Sequence, residues 1–223
     1  NSFVHCIDKF DIMKKLLLIL LLVPMLSFGQ DYENKTSSTQ DIDYYNLTQQ
    51  TIRDDNGTKI IIFVPKGFYQ SNLGSNQLAN FNYIKNKDGY FVSIDKLESR
   101  NTIKTSDKEY IDIMNKYIQN EYDGDLKKMK DMLPKAIFRD IEIIGFEGNL
   151  IINKKYFAKR SAYYIDARND GTELENVPLI EFQYITHHNK RKYTISIVRY
   201  GNNSISDMVG FANTIGGSIE FKK

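Results

Sequence analysis

The chain has 223 residues, with 30 lysines and arginines against 28 aspartates and glutamates, so its formal net charge is +2 at pH 7. A charge this close to zero gives no strong field to attract nucleic acid or an anionic membrane surface. The single cysteine, Cys6, excludes an internal disulfide, and 41% hydrophobic residues suffice for the core of one domain or two small ones.

A basic and then apolar stretch near the start has the pattern of a secretory signal peptide. Met13-Lys14-Lys15 is the positive n-region, and Leu16–Val23 is the apolar h-region. Ser27 and Gly29 are the small residues that signal peptidase requires before Gln30. The run is shorter than the ~20 apolar residues of a membrane-spanning helix. We therefore predict cleavage between Gly29 and Gln30 and an exported protein, periplasmic or extracellular, with no membrane anchor after cleavage.

The chain divides into four regions around the predicted cleavage point. Residues 1–12 are interpreted as upstream translation or a remnant, and residues 13–29 as the signal peptide. Residues 30–42 are polar and are predicted to be a flexible tether, because they cannot bury enough apolar surface to become ordered. Residues 43–223 are predicted to form a single domain. Loss of Cys6 leaves no cysteine, which excludes a lipoprotein anchor, a cysteine nucleophile and thiolate metal sites.

We predict that folding needs no disulfide, metal or other cofactor. The midpoint of thermal unfolding should be the same with and without reductant or EDTA. A fall of several degrees with EDTA would reveal a metal site.

A hairpin is the first strong structural signal in the domain. Tyr44–Ile52 and Lys59–Val64 are strand-like and flank Asp54-Asp55-Asn56-Gly57, whose Asn-Gly pair tolerates the positive φ of a tight turn. The second strand is apolar on both faces and is predicted to be central.

A second hairpin and a helix follow. Leu78–Lys85 and Tyr90–Leu97 are predicted to pair, and Ser106 with Glu109 forms a capping box. Apolar residues at three- and four-residue spacing then predict a helix that ends at Leu133, before a proline.

The second half of the chain is predicted to be a meander that closes with a helix and a strand. In one strand Ile180, Phe182 and Tyr184 alternate with Glu181 and Gln183, which predicts one buried face and one face in water. Together the elements predict an α+β fold with a largely antiparallel sheet sandwiched by helices. The elements are the strands Phe138–Phe146, Asn149–Lys154, Tyr156–Ala167, Pro178–Thr186 and Lys192–Tyr200, a helix from Ser204 to Ile215, and a strand over Ser218–Phe221.

Three segments resemble the PsbP-like family. Ile60–Phe68 is similar to its strand followed by Pro-Lys-Gly-aromatic, Ile152–Ala158 to the turn into its central hairpin, and Phe211–Phe221 to its closing helix and strand. The resemblance covers residues 43–223. It implies the fold shared by the extrinsic photosystem II protein, a Ran-binding nuclear import factor and many exported bacterial proteins, and it implies protein binding. No position matches the partner-binding or metal-binding residues of the family.

The sequence contains no catalytic signature. G-x-S-x-G, P-loop, G-x-G-x-x-G and H-E-x-x-H motifs are absent. His187 and His188 are adjacent, so in a strand they point to opposite faces and could not readily bind one metal together. Because they precede Asn189-Lys190-Arg191, we interpret them as part of a solvated turn.

Two acidic segments invite a site and are better explained by loop chemistry. Asp166–Gly171 resembles a calcium loop, but Arg168 replaces an oxygen ligand and Val177 replaces the bidentate glutamate. Asp54 and Asp55 look like paired carboxylates, yet acidic residues are common in turns for backbone reasons.

Tyrosines and basic clusters remain. The chain has 15 tyrosines and no tryptophan. Tyr44-Tyr45, Tyr163-Tyr164 and Tyr200 could form a carbohydrate or peptide platform, although packing in the core and on sheet faces is the favoured interpretation. Lys127-Lys128 and Lys190-Arg191-Lys192 are interpreted as solvated faces.

Two functions stay open, and no catalytic, cofactor-binding or metal residue is assigned. The favoured one is an exported non-catalytic protein that binds a partner, such as another protein, in the cell envelope. The alternative is a hydrolase or transferase whose carboxylates converge only in three dimensions. A deep pocket with convergent carboxylates would favour the enzyme, and an exposed apolar patch would favour the binding protein.

Overall fold

Antiparallel strands make up most of the computed structural model, which describes residues 33–70, 73–85, 88–98, 108–109, 111–113, 138–166, 177–201 and 203–222. The described residues all belong to the compact unit Glu33–Lys223. In chain order the elements are β1 (Glu33–Asn34), α1 (Thr39–Tyr44), β2 (Leu47–Arg53), β3 (Lys59–Pro65), β4 (Tyr69–Gln70), β5 (Gln77–Lys85), β6 (Asp88–Glu98), β7 (Phe138–Ile152), β8 (Lys155–Asp166), β9 (Pro178–His188), β10 (Arg191–Tyr200), α2 (Ile205–Gly217) and β11 (Glu220–Lys222).

The strands form two sheets. The larger sheet has the order β1-β7-β8-β9-β10-β6-β5-β4, and the smaller has the order β11-β3-β2. Every pair is antiparallel except β1 with β7. The prediction of an α+β fold with a largely antiparallel sheet is confirmed.

The β2–β3 hairpin forms where the Asn-Gly pair predicted it. Gly57 has a φ of 84°, and the Asp54 N–H donates to the carbonyl of Thr58 at 2.9 Å. The predicted central strand is β3, which pairs on both sides. Its Ile60 and Ile62 are fully buried.

The described part of the segment predicted as a tether lies in regular structure. Glu33–Asn34 pairs with the end of β7, and Thr39–Tyr44 forms α1. Ser38 caps this helix by accepting a hydrogen bond from the Asp41 N–H at 3.1 Å. Ile42 packs against the core. The first predicted strand therefore begins at Leu47 and not at Tyr44, because a helix turn and its cap precede it.

Two of the predicted strands are one. Phe138–Phe146 and Asn149–Lys154 belong to the continuous strand β7, whose pairing with β8 shifts register between Ile143 and Gly145 and between Glu147 and Leu150. Glycine-containing irregularities of this kind bend a strand without ending it. The predicted break between Phe146 and Asn149 therefore corresponds to irregular pairing within one strand.

The closing helix joins the two sheets. Ser204 caps α2 through a hydrogen bond from the Asp207 N–H at 3.1 Å. The helix contacts β9 and β10 of the larger sheet and β3 of the smaller one. Its Met208 and Ile215 are fully buried in the main core.

Strand β9 has one face in the main core and a second face that is partly exposed. Ile180, Phe182 and Tyr184 lie in the main core, as predicted. On the opposite face Glu181 and Gln183 are half-buried and still meet water, whereas Ile185 is buried in a small cluster with Ile111. Residue 111 belongs to the short described part of the helix predicted from Ser106 to Leu133, and the rest of that helix lies outside the described residues. No helix in the described ranges is long and apolar enough to cross a membrane.

Candidate functional site

The most site-like feature is a cleft of about 370 Å³ with aromatic walls. We call it the tyrosine cleft. It lies between the end of α1, the end of β3, the β5–β6 hairpin, the end of β10 and the start of α2. It is lined by Tyr44, Tyr45, Asn46, Pro65, Lys66, Tyr83, Asp88, Tyr90, Arg199, Asp207 and Phe211.

A tight turn after α1 forms one side of the tyrosine cleft. Asn46 follows α1 with a φ of 51°, and its carbonyl accepts a hydrogen bond from the Lys66 N–H at 3.1 Å. Asparagine tolerates this left-handed conformation better than most residues. The Tyr45 hydroxyl donates to the Asp207 carbonyl at 3.3 Å, which ties α1 to α2.

The floor of the tyrosine cleft is aromatic and internally hydrogen-bonded. The Phe211 ring centroid lies 5.6 Å from that of Tyr45 and 5.9 Å from that of Tyr90. The Tyr90 hydroxyl donates to the Pro65 carbonyl at 3.1 Å. Burial raises the pKa of Tyr90 to about 12, and burial together with the charge of Asp207 raises that of Tyr45 to about 12. Both phenols therefore stay protonated at neutral pH.

Arg199 closes one end of the tyrosine cleft as part of an internal ion pair. Its guanidinium donates to an Asp88 carboxylate oxygen at 2.7 Å and to the Gly89 carbonyl at 2.8 Å. The guanidinium carbon lies 5.3 Å from the Phe211 ring centroid. Asp88 also accepts from the Asn203 amide at 3.0 Å. The carboxylate of Asp88 is therefore held by a cation and an amide and is not placed as a general acid or base.

The rim offers groups for a ligand. Tyr44 is 74% exposed, and the Tyr83 ring stacks on Tyr90 at 5.8 Å with an interplanar angle of 14°. Within the described part of the chain, the hydroxyls of Tyr44 and Tyr83 and the side chains of Asn46 and Lys66 make no hydrogen bond or ion pair. Phenol rings with unused hydroxyls are suited to binding, because they combine an apolar face with a polar tip.

The sequence named only part of this site. Tyr44 and Tyr45 lie in it, but Tyr200 is 3% exposed and its hydroxyl donates to the Tyr83 carbonyl at 2.9 Å. The side chains of Tyr163-Tyr164 lie outside the described residues. Sequence reasoning missed Tyr83, Tyr90, Arg199 and Phe211, because only the pairing of β6 with β5 and β10 and the packing of α2 bring these positions together. No local signal marked them.

Asp54 forms a buried ion cluster that loop chemistry did not predict. Its side chain is 0% exposed. It accepts hydrogen bonds from Lys96 at 2.8 Å, Arg191 at 2.7 Å and the Tyr193 hydroxyl at 2.7 Å. Asp55, at the surface, pairs with the same two cations. The two aspartates therefore attach the β2–β3 turn to β6 and β10, in addition to shaping the turn.

The cluster shifts the pKa of its members. Burial raises the pKa of Asp54, but the hydrogen bonds from Lys96, Tyr193 and Arg191 outweigh burial, and the net pKa lies far below the usual range. The hydrogen bond to Asp54 raises the pKa of Lys96. Burial, and then the same carboxylate, raise the pKa of Tyr193. The charges are matched and fixed, so the cluster stabilises the fold.

A second cavity of about 380 Å³ contains a buried lysine. Lys159 is 4% exposed, donates to the Asn213 side chain at 2.9 Å, and has its ammonium 4.4 Å from the Phe182 ring centroid. Asn213 lies near the carboxyl end of α2, the end at which the helix dipole favours a cation. These contacts explain Lys159 as a structural residue.

The histidines are not in a solvated turn. His187 and His188 are half-buried at the end of β9, and the turn itself is Asn189-Lys190, both at positive φ. His188 Nδ1 lies 3.2 Å from the Lys155 ammonium, and its ring packs 5.4 Å from Phe221. The hairpin is tighter than predicted, so both rings lie in the strand. Across the described ranges, no three histidine, cysteine or acidic side chains are grouped to hold a metal.

The basic clusters and the calcium-like loop have different outcomes. Arg191 is not a solvated residue, because its guanidinium pairs with Asp54 and Asp55. Lys190 is exposed, as predicted. Lys127-Lys128 and most of Asp166–Gly171 lie outside the described residues.

No protein-family model and no curated protein matches the chain. Among solved structures, the Ran-binding protein Mog1p of Saccharomyces cerevisiae is similar at 9% identity with a TM-score of 0.43, covering 78% of this chain and 95% of Mog1p. LpqN, involved in cell envelope biogenesis of Mycobacterium tuberculosis, is similar at 10% identity with a TM-score of 0.41, covering 85% of this chain and 99% of LpqN. A protein of Bacteroides thetaiotaomicron is similar at 11% identity with a TM-score of 0.38, covering 74% of this chain and 45% of that protein. At these identities and TM-scores the similarities describe architecture and assign no function.

Proposed function

We propose that this chain is an exported, non-catalytic protein that binds another protein of the cell envelope through the tyrosine cleft. The observation that carries the proposal is the rim of the cleft, where the 74% exposed Tyr44 and the stacked Tyr83 present rings and unused hydroxyls beside Arg199.

The composition of the tyrosine cleft is that of a protein interface centre. Tyrosine and arginine are enriched among the few residues that supply most binding energy, because they combine a large apolar surface with hydrogen-bonding capacity. The floor is fixed by the hydroxyl bonds of Tyr45 and Tyr90. Because the side chains of the floor are already fixed, the protein loses less conformational entropy when a partner binds.

An enzyme is the weaker alternative. Two carboxylates line the tyrosine cleft, but Asp88 is held by Arg199 and Asn203. Asp207 lies in the first turn of α2, where the helix dipole favours a fixed negative charge. Reproducible hydrolysis or group transfer that disappears in the Asp88→Asn or Asp207→Asn protein would contradict the proposal.

We expect retention of the envelope partner to depend on the rim of the tyrosine cleft. Immobilised protein should capture a specific partner from envelope extract. Replacing Tyr44 and Tyr83 together by alanine should weaken the affinity at least about tenfold, or about 1.4 kcal/mol, because interface tyrosines carry much of the binding energy. Mass spectrometry identifies the partner, and calorimetry then measures its affinity.

The matched control is Leu97→Ala, which truncates another exposed apolar side chain outside the tyrosine cleft. It should retain the partner at the wild-type level. Equal retention by the double variant, in a sample with an unchanged thermal midpoint, would show that the partner binds elsewhere.

Export is the second part of the proposal. The mature chain is expected to begin at Gln30, because Ser27 and Gly29 place the scissile bond there. Amino-terminal sequencing of the exported protein measures this. Recovery of the protein in the membrane pellet with residues 16–23 still attached would argue against it.

A further inference from the structure

We propose that the tyrosine cleft binds a proline-rich segment of the partner in the extended polyproline II conformation. This inference rests on the proposed function and names the chemistry of the partner at the same site. It follows from three features of the cleft, which are its rings, its free donors and its paired strands.

The rings form two walls of different orientation. Tyr83 and Tyr90 are stacked, with centroids 5.8 Å apart and an interplanar angle of 14°. Tyr44 and Tyr45 meet edge to face, with centroids 4.7 Å apart and an interplanar angle of 84°. Aromatic walls of this kind accept the flat apolar rings of successive prolines, whose helix is already extended before binding.

The free groups of the rim can all donate hydrogen bonds, and all but the Lys66 ammonium can also accept them. Among the described residues, the Tyr44 and Tyr83 hydroxyls, the Lys66 ammonium and the Asn46 amide are unused, whereas the Tyr45 and Tyr90 hydroxyls donate internally. A polyproline segment has carbonyl acceptors and no N–H donor, and its carbonyls are not used within its own helix. The rim therefore offers several donors to a ligand whose backbone offers only acceptors.

Strand addition finds little free backbone in the tyrosine cleft. Strands β6 and β10 are each paired on both sides, and β4 pairs with β5 only at Phe81 and Asn82. Beyond Asn82 the Tyr83 carbonyl already accepts a hydrogen bond from the Tyr200 hydroxyl, and at the end of β3 Pro65 has no N–H. Among the described residues, recognition through side chains is therefore favoured.

The charge of the tyrosine cleft favours an uncharged ligand. Arg199 and Asp88 neutralise each other at 2.7 Å. The remaining charged residues of the lining, Lys66 and Asp207, have opposite signs. A neutral proline-rich segment suits this balance. A strongly acidic peptide would be repelled by Asp207, and a strongly basic peptide would be repelled by Lys66.

The test is a titration of the purified protein with acetylated, amidated decaproline. A glycine–serine peptide of the same length is the control ligand. The protein contains no tryptophan, so a change in tyrosine fluorescence follows the titration, and amide NMR shifts locate the peptide. We expect saturable binding of decaproline with shifts at residues 44–46 and 83, and no saturation with glycine–serine.

Phenylalanine variants test the hydroxyl contacts without removing the rings. Tyr44→Phe with Tyr83→Phe should weaken decaproline binding about fivefold, because each variant removes a donor. Tyr156→Phe, a half-buried tyrosine on β8 outside the cleft, should leave the affinity unchanged.

The outcomes separate this inference from the proposed function. Absence of saturable decaproline binding, with partner capture still dependent on Tyr44 and Tyr83, would overturn the polyproline assignment alone. Absence of both would overturn both proposals. Saturable binding of maltohexaose or chitohexaose at residues 44–46 and 83, without decaproline binding, would identify the tyrosine cleft as a saccharide site and also overturn the assignment.

Discussion

Asp54→Asn is expected to lower the free energy of unfolding by about 3 kcal/mol, since breaking a buried ion pair leaves cations without their compensating charge. The carboxylate is fully buried and binds Lys96, Arg191 and Tyr193. For a chain of this size the thermal midpoint should fall by about 6 to 12 °C. Denaturant unfolding and calorimetry at pH 7 measure both quantities.

Asp55→Asn is the matched control. Asp55 pairs with the same two cations, but its side chain is 66% exposed. An exposed ion pair contributes less than about 1 kcal/mol, so this variant should lose much less stability than Asp54→Asn. Equal losses in the two variants would show that turn geometry, and not the buried charge, is the source of the effect.

Acid should reduce the difference between the wild type and the Asp54→Asn protein. The pKa of Asp54 is lower in the folded state than in the unfolded chain, where it is about 3.9. Its contribution is therefore fully present above the unfolded pKa and is lost as the pH falls toward the folded pKa. The difference in unfolding free energy should shrink by about 1 kcal/mol between pH 5 and pH 3. A constant difference across that range would contradict the assigned pKa.

Gly216→Ala should lower the free energy of unfolding by about 2 kcal/mol, although alanine is the better helix former by about 1 kcal/mol. A methyl group at this position of α2 would overlap the ring of Tyr184. Tyr184 is 2% exposed in the main core, so the ring cannot move into solvent. Chemical denaturation measures the loss.

Two further variants identify the cause. Gly74→Ala places its methyl group in open space and should be close to neutral. Tyr184→Leu removes the part of the ring that would overlap, so the double variant with Gly216→Ala should lose at least about 1 kcal/mol less than the sum of the single losses. Strictly additive losses would mean that the contact with Tyr184 is not responsible.

The sequence was sufficient where the determinants of structure are local. Asn56-Gly57 alone predicts the β2–β3 turn, since few residues adopt the positive φ that it requires. Ser204 predicts the start of α2 through a side-chain cap. The alternation of Ile180, Phe182 and Tyr184 predicts the main core face of β9.

Sequence patterns failed where two explanations share one pattern. The segment after residue 30 is polar, which suggested a tether, but Ser38 caps a short helix and Ile42 reaches the core. A break between strands was predicted between Phe146 and Asn149, but that segment lies at a register irregularity within β7. Composition and spacing cannot distinguish these cases, because the deciding contacts are made with distant parts of the chain.

The sequence by itself determined the fold class, most of the strands and the closing helix in their order, and the lack of any known catalytic motif. Only the tertiary structure decided the site, because residues of the tyrosine cleft come from five places between Tyr44 and Phe211 and meet through strand pairing and helix packing. It likewise decided that Asp54 is a buried ion and not only a turn residue, since its partners Lys96 and Arg191 lie 42 and 137 positions away. Hydrogen bonding and burial depend on distance in space, and that distance is not encoded in local spacing.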